Sequence, residues 1–369
     1  MLQEPSAEMT SRNIAYFDDV NATTFNSRVS IRLVLFSKWY AQYHGYASVV
    51  VCIVGIVSSL FVVAVLTRRH MVNPTNLMLT ALAVFDLLTM VSYVPFALHY
   101  YCLYGIEPSP SRDTLRWAYF CLFHANFSVT THSASIWLAV VLSAYRYIYI
   151  RSCCSESGPS TVDYTRPATA GYAVAGVIAA TLLILVPNFF SLAVEGVPYQ
   201  STNETIYVVT NRKWNREIDR NTVNSLNFWV HALVIKLVPC ALMSAFGYLL
   251  LVQVHRIHQK GADLRTRATL IHDAPNIRAR NQEHNRTTAM LIAVIILFQL
   301  TELPQGLLAL CSGLEPDFFE SYYSPLGDIM DIVALVNNSI NFTLYCTMSR
   351  QFRTTFLQLF FCRHDHKAV

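Results

Sequence analysis

The stretch His44-Gly-Tyr-Ala-Ser-Val-Val-Val-Cys-Ile-Val-Gly-Ile-Val-Ser-Ser-Leu-Phe-Val-Val-Ala-Val-Leu-Thr67 contains no Asp, Glu, Lys or Arg. About 20 apolar residues in a helix cross a hydrocarbon core of roughly 30 Å. This segment is therefore long enough and apolar enough to span a bilayer. Six further stretches of the same kind follow, at about 75–101, 117–149, 167–193, 226–254, 286–311 and 324–347. Polar or charged segments separate them. Pro95, Pro187, Pro239 and Pro304 fall inside. A membrane helix tolerates proline where neighbouring helices or waters satisfy the freed carbonyl. The expectation is an all-α membrane protein, a seven-transmembrane helix bundle over 44–347.

Composition agrees. Of 369 residues, 53% are hydrophobic and only 14% charged, where a soluble domain carries about 25% charged residues. The mean hydropathy is +0.35. Lipid is the solvent such a chain suits. The net charge of +4 is spread over short segments, which gives no nucleic-acid footprint. The nine cysteines lack paired metal-ligand spacing, and Cys153-Cys154 is adjacent rather than CxxC.

Orientation follows from Lys and Arg. Read in alternation, the loops on one side carry sixteen, from Arg68 to Lys367, and the opposite loops carry six. The richer side is cytoplasmic. Residues 1–43 then form an extracellular tail. That tail lacks the basic-then-apolar layout of a cleaved signal peptide, so the first helix acts as the insertion signal. Asn21-Ala-Thr and Asn203-Glu-Thr fall outside and are candidate glycosylation sites.

Residues 348–369 form the cytoplasmic end. Within Ser349-Arg-Gln-Phe-Arg-Thr-Thr-Phe-Leu-Gln-Leu-Phe-Phe-Cys362, Phe352, Phe356, Leu359 and Phe360 recur at three-to-four spacing. This predicts a short amphipathic helix on the inner leaflet, with Cys362 a candidate for palmitoylation. The polar, basic segment from His255 to Arg286 predicts a mobile cytoplasmic loop.

Polar groups in lipid are costly and mark function by default. Asp86, Ser135 and the trio Asn337, Asn338 and Asn341 lie inside predicted helices. Asn337 and Asn341 share a helix face. Asp86 must be paired, neutralised or hydrogen-bonded. Ser135, Asn337 and Asn341 can surround it, either as a chamber holding water and Na⁺ or as a network joining helices. Glu302 lies inside helix six, and Asp328 and Asp331 lie in the outer half of helix seven. Arg146 ends helix three.

Several of these segments resemble the rhodopsin-like receptors. Leu82-Ala-Val-Phe-Asp86, Tyr145-Arg146-Tyr147, Cys121 upstream of it, Pro239, Pro304 and Asn341-Phe-Thr-Leu-Tyr345 occupy that class's signature places. More narrowly, Tyr43-His-Gly-Tyr, Asn73-Pro-Thr-Asn-Leu, Asn227-Phe-Trp-Val, Val234-Ile-Lys-Leu-Val-Pro-Cys240, Leu300-Thr-Glu-Leu-Pro-Gln-Gly306 and the run Asn338 to Arg353 look like invertebrate myosuppressin and FMRFamide-related receptors. The resemblance implies a plasma-membrane receptor with an extracellular N-terminus. It also implies an amidated neuropeptide ligand ending in Arg-Phe-amide and a heterotrimeric G protein of the Gi/o type as partner.

The chain departs from that pattern at Tyr145 for an acid, Phe342 for Pro, Glu302 for Trp and Val62 for Asn. No cysteine lies between Pro187 and Val238 to partner Cys121. A Cys102–Cys121 bridge and a free Cys121 thiol both stay open.

On this resemblance Arg146, with Tyr147 and Tyr345, is expected to serve G-protein activation. Asp331, then Asp328, is the expected partner of the ligand's Arg. Tyr93, Phe96, His99, Phe127 and Trp229 would line an apolar floor, and Glu302 would accept the terminal amide or join helices. A transporter would show internal repeats or paired broken helices. A hydrolase would show HExxH, GxSxG or another converging nucleophile and base. Neither signature is present. A peptide-binding receptor that does not signal remains the alternative that Tyr145 keeps open.

Overall fold

A computed structural model describes residues 25–153, 167–199, 204–211, 226, 228–267 and 274–361. Asn21, Asn203 and Cys362, the predicted modification sites, lie outside the described residues. Among the described residues seven helices are long and apolar enough to cross a membrane.

Helix α1 runs Phe25–Leu66. It begins far above the predicted start at residue 44, so the outer tail is partly helix. No Gly or Pro interrupts residues 25–43, and hydropathy marks where lipid begins rather than where a helix ends. Trp39 packs between Phe36 and Tyr43 at ring distances of 5.8 and 5.4 Å. Exposed Trp39 and Tyr43 suit the headgroup level. The Ser30 hydroxyl donates to the Ser321 carbonyl at 3.4 Å, which ties this extension to the third outer loop.

Helix α2 runs Pro74–Ala97 and widens into a π turn at Leu98–Leu103. Asn73 caps it by accepting from the Asn76 N–H at 2.8 Å. Pro74 fills the first position, where no N–H is needed. Helix α3 is Leu115–Cys153 and α4 is Pro167–Ile184, followed by one more turn at Val186–Ser191.

The second outer loop holds an antiparallel hairpin, β1 Leu192–Pro198 and β2 Thr205–Asn211, with Leu192 opposite Asn211. Ile206 and Val208 of β2 are buried on its inner face. The Tyr207 N–H donates to the Asp113 carbonyl at 2.8 Å and fastens the hairpin to the first outer loop.

Helix α5 is Val238–Arg267, entered through a π turn at Val230–Leu237. Helix α6 is Ala274–Leu314. The predicted loop between them is therefore mostly helix. Pro275 sits at the start of α6, where its missing N–H costs nothing. Helix α7 is Gly327–Met348 and α8 is Arg350–Phe360. Ser349 caps α8 by accepting from the Phe352 N–H at 3.2 Å. Phe352 is buried, and Phe356 and Phe360 pack on Phe61 of α1 at 5.4 and 4.9 Å. The amphipathic stripe thus seats α8 under α1 and α7.

The largest core cluster joins the inner halves of the helices through Val62, Leu82, Leu138, Leu142, Met243, Phe298 and Tyr345. Val50, Ile53, Val54, Leu183, Leu251 and Leu300 are exposed instead. They form the outward apolar surface that a bilayer covers.

Candidate ligand cavity and polar core

A cavity lies in the outer half of the bundle, walled by α2, α3, α6, α7 and the π turn before α5. Its floor is ionic. Lys236 Nζ donates to Glu302 Oε2 at 2.5 Å and to Gln305 Oε1 at 2.7 Å. His132 Nε2 stands 3.2 Å from Glu302 Oε1 and 3.3 Å from Lys236 Nζ. The backbone explains how Lys236 points inward. Pro239 has no N–H to give the preceding turn, and the widened turn there carries Lys236 to α6. Glu302 is fully buried. One such charge alone in this setting is strongly unfavourable, and each makes the other tenable. The cluster also ties α3, α5 and α6 at one depth.

The upper wall differs. Tyr93 donates to Asp331 Oδ2 at 3.4 Å and shares a 2.9 Å hydrogen bond with His44 Nε2. Asp331 Oδ1 is buried with no hydrogen-bond partner. Asp328, one turn further out, accepts from the Tyr101 hydroxyl at 2.9 Å. Lys236 and Glu302 cancel, so Asp331 leaves the cavity with an excess acid.

The structure corrects several expected ligand contacts. Of the five aromatic candidates only Tyr93 lines the cavity. Phe96 lies behind it, stacked on His124 at 4.6 Å. His99 stacks on Trp117 at 3.6 Å and donates to the Arg112 carbonyl at 2.9 Å, so it builds the first outer loop. Phe127 stacks on exposed Phe123 and does not line the cavity. Trp229 packs beside Gly313 at the outer end of α6. Each helical residue turns about 100° from the last, so depth alone does not tell which face a side chain takes. Glu302 is held by Lys236 through Oε2, does not line the cavity, and keeps Oε1 buried without a hydrogen-bond partner.

Below the cavity, Asp86 accepts from Ser135 Oγ at 2.7 Å and from Asn341 Nδ2 at 2.8 Å, one bond to each carboxylate oxygen. Asn337 makes no hydrogen bond to Asp86 among the described residues and instead borders an apolar groove between α6 and α7. For Na⁺ the fit is poor. Hard cations take oxygen ligands, and Asn341 presents its NH₂. The trio is a hydrogen-bonded tie among α2, α3 and α7. Further in, Arg146 is buried at the cytoplasmic end of α3, and the Tyr345 ring lies 5.4 Å from Phe352. Among the described residues no cluster of His, Cys, Asp or Glu forms a metal site.

Cys102, Cys121 and Cys311 carry free thiols. The Cys102–Cys121 bridge is not formed, and the backbone bond from Tyr207 to Asp113 does the fastening.

Lys236, His132, Gln305 and Asn338 were not among the expected cavity residues. Lys236 had a legible signal. It is the one Lys or Arg in the middle of a predicted span, and it stands in helix five as the natural complement of Glu302 in helix six.

Residues 46–363 match the serpentine type 7TM GPCR chemoreceptor Srw family. The chain is 31% identical over 361 residues to the G-protein coupled receptor dmsr-1 of Caenorhabditis elegans, covering 88% of this chain and 69% of that one. It is 26% identical over 327 residues to the sex peptide receptor of Drosophila melanogaster, covering 87% and 73%. To the FMRFamide receptor of the same fly it is 21% identical over 325 residues, covering 85% and 53%.

Proposed function

Because this chain belongs to the serpentine-type seven-transmembrane G-protein-coupled receptors, we propose that its ligand is a neuropeptide ending in Arg-Phe-amide and that it signals through Gi/o-type G proteins. As a member of that family it is a multi-pass receptor of the cell surface and not an enzyme.

The observation that carries the ligand class is Asp331. A buried carboxylate with an unpartnered oxygen, in a cavity whose other Lys and Glu charges cancel, calls for a cation. An Arg guanidinium suits a carboxylate through two parallel bonds. Exposed Glu315, Asp317 and Glu320 in the third outer loop raise the local concentration of a cationic ligand and speed its arrival. The likeness to an FMRFamide receptor supports the amidated end. The test is a panel of synthetic amidated peptides on transfected cells. A fall in cyclic AMP is expected for those ending in Arg-Phe-amide. No response from a receptor present at the surface would overturn the reading.

On the inner side, Arg146 is the residue we assign to G-protein activation, with Tyr345 and Asn341 shifting as α6 moves. Arg146→Ala should keep surface expression and peptide binding and lose signalling. Tyr145 cannot form an ion pair with Arg146, so ligand-free activity should exceed that of Tyr145→Asp. Equal basal activity in the two would count against this role for Tyr145.

A further inference from the structure

Asp331 Oδ1 is not the only unpartnered acceptor on the cavity wall. Ser133 Oγ and Asn338 Oδ1 are also buried without a hydrogen-bond partner, and both residues line the same space. Ser133 is 1% exposed and Asn338 3%. Buried polar atoms in folded proteins are nearly always satisfied by protein, water or ligand. Three unmet acceptors around one cavity describe an occupant rich in donors.

Their placement divides the work. Asp331 and Asn338 are seven residues apart on α7, which returns the side chain to nearly the same face about 10 Å deeper. Ser133 reaches the cavity from α3. We propose that Asn338 and Ser133 form a subsite for the C-terminal carboxamide of the ligand, while Asp331 holds the Arg side chain above it. The inference rests on the peptide reading of the preceding subsection.

A primary carboxamide carries two N–H donors, one for each oxygen of the subsite. A free acid carries none: its lone pairs oppose those of the Asn338 oxygen, and only the Ser133 hydroxyl, which donates as well as accepts, can bond it. Lys236 offers a free acid little, because Glu302 and Gln305 already hold its ammonium. Length agrees as well. An extended dipeptide spans about 7 Å of backbone, and the Arg side chain adds reach toward Asp331. Val129, Ala334 and Leu335 give the intervening aromatic ring an apolar wall. The subsite therefore selects amidated peptides over their acids and over alkylated amides.

The experiment is competition binding to the full-length receptor in membranes. The probe is Phe-Met-Arg-Phe in three forms, the amide, the N,N-dimethylamide and the free acid. Leaving two buried acceptors unmet should weaken the dimethylamide roughly ten- to a hundredfold relative to the amide. Asn338→Leu should bring that ratio to within about threefold of one by weakening the amide, and Ser133→Ala should lower it in part. Asn338→Asp keeps an acceptor, so it should retain the preference for amide and raise the discrimination against free acid at least about tenfold. An unchanged amide-to-dimethylamide ratio in Asn338→Leu overturns the subsite. Should Asn338→Leu fail to reach the membrane, an unchanged acid discrimination in Asn338→Asp overturns it. A wild-type receptor that binds amide and dimethylamide equally also overturns the subsite and leaves the peptide reading standing. A wild-type receptor that binds none of the three forms overturns both.

Discussion

Lys236→Met should destabilise the receptor by roughly 3–5 kcal/mol, because it leaves Glu302 buried with no compensating charge. Glu302 is fully buried, and Lys236 supplies its shortest contact. His132 at 3.2 Å is a weaker substitute. The double variant Lys236→Met/Glu302→Leu should recover most of the loss, since apolar replacement of a whole buried pair is often neutral or stabilising. Thermal denaturation in detergent of the wild type, Lys236→Met, Glu302→Leu and the double variant measures these losses. A double variant that loses as much as the two single variants added together would show that the pair is not a unit. The same comparison separates stability from function. The pair joins the turn before α5 to α6, so the double variant should fold yet respond to peptide differently.

The second large effect concerns affinity. Asp331→Asn should weaken an Arg-Phe-amide peptide by roughly 2–5 kcal/mol, the cost of truncating a buried charge pair. Asn keeps the shape and one acceptor and removes the charge. A peptide with citrulline in place of Arg keeps its shape and about three of the five N–H donors but not the charge, so it should lose much less on the same substitution. Equal losses for both peptides would remove Asp331 as the charge partner. Asp328→Asn should have the smaller effect, because that carboxylate already serves the Tyr101 hydroxyl.

What the sequence makes legible here follows the cost of burying polarity. Seven spans are readable because lipid demands long apolar stretches. Asp86, Ser135 and Asn341 are readable as partners because a lone carboxylate in lipid is untenable, and they do bond. Asn337 shares the face of Asn341 but not its reach, which depends on the rotation of α7 against α2. The aromatic floor fails for the same reason. Phe96, His99, Phe127 and Trp229 lie at suitable depths and point elsewhere. Hydropathy is equally silent above the membrane. Nothing in Phe25 to Tyr43 marks a helix boundary, and α1 runs through it. Lys236 could have been found. Charge inside an apolar helix demands an opposite charge at similar depth, and Glu302 was already in view.

The hairpin of the second outer loop is fastened by a backbone bond and by packing, and all three cysteines on the outer side are free. Among the described residues, then, no contact of the outer face depends on thiol oxidation. Cytosolic proteins are kept reduced by glutathione and thioredoxin, a setting in which a disulfide-dependent outer face could not form. The fastening of this hairpin makes no such demand on its compartment, on oxidants or on disulfide isomerases.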